Sequence, residues 1–156
     1  MRTFVFIAAG CRYALDASWV QAVHPLVRAR PVPGAPPFIA GMIDVHGELV
    51  PLVDAALLLS GSQPVERTLG ARVLLLDTGG AGARARFALA VDRVVDVADL
   101  DEEGSRRMGA RTSPWLGAVL HHQGEATQLF DATALATQHP QLASPDACSI
   151  AQGEPA

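Results

Sequence analysis

The residues best able to do chemistry lie in GMIDVHGELVPLVD, positions 41 to 54, where Asp44, His46 and Glu48 stand at alternate positions among apolar neighbours. An extended chain turns alternate side chains to one face. The three could therefore converge on a metal ion, with His121 or His122 as a further ligand, or work as an acid and base pair. Against this, His46 and Gly47 suit a hairpin turn, and a turn resets the alternation so that Glu48 begins the return strand. His121 and His122 are adjacent, and adjacent strand residues face opposite ways, which is poor geometry for one ion. No metal or cofactor is expected.

Other chemistry is thinly supplied. No GxSxG motif occurs, Ser60 and Ser62 fall in a linker, and Cys11 is a turn residue with no base evident beside it. The segment TGGAGARAR around Gly79 and Gly80 lacks a GxGxxG pattern and a following helix signal, so it reads as a hairpin and not a phosphate loop. Catalysis is not expected. A small-ligand-binding or metal-dependent β-barrel is the alternative reading.

The elements that position these residues must come from 156 residues, of which 49% are hydrophobic, enough for one domain with a core. With 12 basic against 16 acidic residues and 5% aromatics, neither a phosphate-binding surface nor a base-stacking platform is indicated, and nucleic acid is not an expected partner. The two cysteines, Cys11 and Cys148, suggest no disulfide framework, which suits the cytoplasm. The opening MRTFVFIAAGC reads as a strand, being short for a signal core, and no window approaches the roughly 18 apolar residues of a membrane span.

The chain repeats itself. RYALDASWVQAVHPL (12 to 26) lies on RFALAVDRVVDVADL (86 to 100) at an offset of 74, with identity at six of fifteen positions. HGELVPLVDAALL from His46 lies on QGEATQLFDATAL from Gln123 at an offset of 77, and Gly, Glu, Leu, Asp and Ala recur. One plan used twice is implied: strand, turn, a second strand running into a third, a long loop, a hairpin and a short helix. Gln123 and Gly124 occupy the place of His46 and Gly47, so both positions read as turns. Asp54 and Asp131 each end a strand before Ala and Leu, where a carboxylate caps a helix.

Strands are expected at 3–8, 12–15, 20–28, 38–45, 48–53, 72–77, 85–97, 115–121 and 125–130, separated by Gly-containing turns. Each strand-rich half would close most economically as a small barrel, and two barrels leave a groove between them. We expect one domain over 1–137, with a first barrel over about 12–70, a second over about 71–121, strand exchange from the chain ends, and a frayed tail over 138–156.

In this order the pieces resemble the CheW-like domain, the coupling protein of bacterial chemosensory arrays. The resemblance runs from about Phe4 to Leu135 and rests on GCRYALDASWVQAV, PVPGAPPFIAGMI, VHGELVPLVD, FALAVDRVVDV and PWLGAVLHHQGEATQLFD. It implies an all-β fold of two five-stranded β-barrels around a shared core. It also implies a non-catalytic cytoplasmic adaptor whose partners are the regulatory domain of a CheA-type histidine kinase and the cytoplasmic tip of a chemoreceptor, without membrane insertion. Where the family pattern usually shows asparagine, leucine, arginine and glycine, this chain has Asp44, Val45, His46 and Gly47. The arginine's permanent charge and donor fork are replaced by a ring with fewer donors.

The candidate partner-binding residues are accordingly Asp44, Val45, His46, Gly47 and Glu48 in the hairpin, and Leu15, Val20 and Val23 bordering the groove. Leu15, Val20 and Val23 recur as Leu89, Val94 and Val97, which favours core for most of them. Trp19 and Trp115 fit either a core role or a partner anchor. Asp92 and Arg93 read as a solvated pair at the join of two strands.

Overall fold

The structure is a computed structural model and describes residues 1–79, 84–101 and 113–142. The first half contains β1 (Arg2–Ala8), β2 (Cys11–Asp16), a 3-10 turn (Ala17–Trp19), β3 (Val20–Pro25), β4 (Ile39–Val45), β5 (Glu48–Asp54) and α1 (Ala55–Leu59). The second contains β6 (Arg72–Asp77), β7 (Arg86–Val91), β8 (Arg93–Asp99), β9 (Leu116–His122), β10 (Glu125–Phe130), α2 (Ala132–Gln138) and a closing 3-10 turn (Pro140–Leu142). The run expected as one strand over 85–97 is divided at Asp92, because its two parts enter different sheets.

Two five-stranded sheets result, ordered β8-β1-β2-β10-β9 and β3-β6-β7-β5-β4. Replacing each strand by its repeat partner turns one order into the other. Each sheet has one parallel pair, β2 with β10 and β5 with β7, and the other pairs are antiparallel. The sheets do not follow the expected 12–70 and 71–121 division. β3, β4 and β5 of the first half join β6 and β7 of the second, while β1 and β2 join β8, β9 and β10. The halves have exchanged strands at the 3-10 turn Ala17–Trp19 and at Asp92.

Among the described residues no ladder closes either sheet into a barrel, but the edges of each are joined. Past β3 the chain forms a two-bond bridge to β4, Arg30 N–H to Met42 O and Met42 N–H to Arg30 O, both at 2.8 Å. Gly41 permits it: its φ is +149° and a Cβ there would lie 2.1 Å from the Arg30 carbonyl oxygen. In the other sheet, His122 of β9 and Asp96 of β8 meet at 2.9 Å.

Three apolar clusters follow from this arrangement. The largest lies between the sheets and includes Phe6, Tyr13, Leu15, Leu74, Phe87, Leu89, Phe130 and Leu135. A second fills the inner face of β3-β6-β7-β5-β4, with Ile43, Val50, Leu52, Val73, Leu75 and Ala88. A third fills the other sheet, with Val5, Ala14, Leu100, Leu120 and Leu129. Alternation along β2 explains the split, since Tyr13 and Leu15 enter the shared core and Ala14 the inner one. The chain stays docked beyond the expected limit of 137. Leu142 is fully buried in the shared core, which anchors the start of the segment expected to fray. The rest of that tail, 143–156, and Gly80 lie outside the described residues.

Candidate functional site

The hairpin of β4 and β5 is built by its two turn residues. His46 has φ +52° and Gly47 φ +85°, the left-handed pair whose twist matches a two-residue hairpin. The repeat reproduces the turn, with Gln123 at +54° and Gly124 at +76°. Asp44 Oδ1 accepts the Gly47 N–H at 2.7 Å, which fixes the tip. Glu48 forms an ion pair with Arg86 of β7, both side chains partly exposed.

The three groups at alternate positions are thus separately engaged. The Asp44 carboxylate is used by the turn, Glu48 by an arginine, and His46 points to solvent. Among the described residues no group of three or more His, Cys, Asp or Glu is placed to hold a metal ion. What the hairpin presents is a polar tip with one apolar side chain: Leu49 is 60% exposed opposite exposed Asp44, while half-buried Val45 turns to the other face.

The other expected contact residues divide by burial. Leu15 is 1% exposed and part of the shared core, so its side chain has no surface to offer a partner. Val20 is half-buried and packs against the same core. Val23 is 41% exposed on the edge strand β3, and its repeat partner Val97 is 40% exposed on the edge strand β8. The repeat therefore preserves exposure as well as residue type. β3 and β4 are opposite edges of one sheet, so the hairpin and Val23 are not neighbours within the ladder.

Trp19 and Trp115 both pack against the shared core, and the His139 ring contacts Trp115 and Phe38, at centroid distances of 5.6 and 4.7 Å. Asp92 is not simply solvated, since its carboxylate accepts the Ala9 N–H at 3.2 Å. Sequence reasoning missed Arg86 and Leu49 at the hairpin, and a polar group on the other sheet comprising Arg12, Asp96, His122 and Thr127. The one available signal was the repeat, which lays Arg12 on Arg86.

Asp96 is held below the usual carboxylate range, first by its hydrogen bond to His122, opposed by burial, then by the Val97 N–H, with the charges of His122 and Arg12 adding to it. Asp77 is lowered mainly by its hydrogen bond to Arg84. Burial raises the Tyr13 hydroxyl, with Cys11 contributing.

Internally repeated paired sheets around a shared core, with an exposed hairpin tip, define an all-β module. The CheW-like domain model matches residues 2–139, and the chain belongs to that family. In fold it is similar to the scaffolding protein TtCheW from Thermoanaerobacter tengcongensis, with a TM-score of 0.72 and 21% identity over 84% of each chain. No curated protein matches.

Proposed function

We propose that this chain is a non-catalytic chemotaxis adaptor that couples chemoreceptors to a CheA-type histidine kinase. The reading is supported by membership of the CheW-like family and by the likeness to a protein described as a scaffold. The observation that carries it is the β4–β5 tip, where Asp44, His46 and Leu49 are exposed on a hairpin held rigid by the turn and by Arg86. A preorganised tip with an apolar side chain beside polar ones offers a partner contact area at little ordering cost.

Within this reading the kinase regulatory domain and the receptor tip bind through Asp44, Val45, His46, Gly47 and Glu48, and through Val20 and Val23 at the sheet edge, while Leu15 supports these from the core. Each sheet acts as a small five-stranded barrel, an assignment supported by the Arg30–Met42 bridge and the Asp96–His122 contact at their edges. The protein works in the cytoplasm, at receptor arrays, without inserting into the membrane.

The test is calorimetric titration of the chain with a CheA-type regulatory domain and with a receptor-tip fragment, comparing the natural protein with His46→Arg and His46→Ala. Arginine at 46 strengthens binding of one partner and alanine weakens it. Unchanged binding of both partners to both variants removes the hairpin from the interface.

A further inference from the structure

The two halves of the chain provide an internal comparison at one place. Arg86 of β7 and Arg12 of β2 are repeat partners, and so are Glu48 and Glu125. In the first sheet pair Glu48 meets Arg86 at Nη1, while Arg86 Nε is buried without a hydrogen-bond partner. In the second, Glu125 is exposed at the start of β10 and makes no contact with Arg12.

Arg12 is left in an unusual state. Its Nε and Nη2 are buried and have no hydrogen-bond partner. These two N–H groups form the side-on fork with which a guanidinium grips a carboxylate. Directly opposite in the parallel register of β2 and β10 stands Thr127, fully buried, whose hydroxyl also has no partner. Residues paired in register project to the same face, so Arg12 and Thr127 both start on the inner face of this sheet. Buried donors without acceptors are costly, and two adjacent residues in that condition mark a position shaped for a polar group.

The remaining charged and titratable groups near this position leave the fork unclaimed. Asp96 of β8 feels the Arg12 charge but spends its hydrogen bonds on the Val97 N–H, His122 and Gln123. His121, the neighbour of His122, is exposed. Gln123 and Glu125 at the neighbouring turn are exposed, and Asp96 is partly so.

We propose that Arg12 and Thr127 form a binding site for a carboxylate that this chain does not itself supply. The fork itself names the chemistry, since its two parallel N–H groups match the two oxygens of a carboxylate. The source is either a small free carboxylate or an acidic side chain presented by a partner. In both cases the guanidinium takes the carboxylate on its fork and the Thr127 hydroxyl donates to one of its oxygens.

The experiment uses the whole chain labelled with nitrogen-15 and follows the arginine Nε–H resonances, that of Arg12 being assigned by its loss in Arg12→Met. Sodium acetate is titrated against sodium chloride at matched ionic strength. A parallel titration uses the peptide acetyl-Ala-Glu-Ala-amide, whose only carboxylate is a side chain. Saturable movement of the Arg12 resonance with acetate and not with chloride, weakened several-fold in Thr127→Val, supports the site. Tighter binding of the peptide assigns it to a partner's acidic residue, and binding of acetate alone assigns it to a free carboxylate. Arg86 serves as a positive control: it becomes acetate-responsive in Glu48→Gln, which frees the Nη1 that Glu48 holds. If Arg12 fails to respond to either probe while Arg86 responds in Glu48→Gln, the proposal is overturned.

Discussion

Asp54 and Asp131 do the same two things in the two halves of the chain. Each donates its backbone N–H at 2.7 Å to an aromatic residue's carbonyl, Phe38 for Asp54 and Trp115 for Asp131. Each caps the helix that follows, Asp54 by accepting the Leu57 N–H and Asp131 by accepting those of Thr133 and Ala134. The two differ in one respect. Asp54 is buried and also accepts the Val65 N–H from the linker between the halves. Asp131→Ala is expected to cost about 1 kcal/mol, the usual loss of a helix cap. Asp54→Ala also strands the buried Val65 N–H and costs about 2 to 4 kcal/mol. Urea unfolding of both variants checks the order.

Two residues expected to border a groove, Leu15 and Val23, separate stability from binding. Leu15→Ala opens a cavity in the shared core and lowers stability by about 2 to 5 kcal/mol. Val23→Ala, on an exposed edge, changes stability by about 0.5 kcal/mol or less. If the edge of β3 is a partner surface, Val23→Ala weakens kinase or receptor binding with its melting temperature unchanged. Loss of binding that follows stability in both variants would argue against that surface.

Gly41 makes a third prediction, because the bridge that joins β3's continuation to β4 requires close backbone approach. Alanine there meets the Arg30 carbonyl oxygen and carries a φ that side chains rarely adopt. Gly41→Ala is expected to cost at least about 2 kcal/mol. Hydrogen exchange should show fast exchange of the Arg30 and Met42 amides before the other ladders loosen.

The contact of Asp96 with His122 has a pH consequence. A carboxyl whose folded pKa is lowered contributes stability that is present above its unfolded value, about 3.9, and is lost as pH falls through the folded value. The contribution of Asp96 is therefore complete near neutrality and disappears in acid, below about pH 4. Melting temperature measured against pH should fall less steeply in that range for Asp96→Asn than for the natural protein. Equal acid slopes would mean that the contact does not stabilise the folded state.

Much of the local structure was legible because near neighbours decide it. The His46–Gly47 turn, its copy at Gln123–Gly124, and the caps at Asp54 and Asp131 each depend on residues within a few positions. The repeat in sequence became a repeat in sheet order.

What tertiary structure alone decided is which strands share a sheet, and therefore which side chains meet. Because the halves are similar, β3 has equivalent partners in β1 and β6, and alternation is satisfied by either. The chain takes β6 because the Ala17–Trp19 turn carries it across the shared core, where Trp19 and Val20 pack. From that exchange come the burial of Leu15, the meeting of Glu48 and Arg86 across 38 positions, and the lack of a hydrogen-bond partner at Arg12 Nε and Nη2. Each depends on contacts between distant segments, which residue type and spacing leave open.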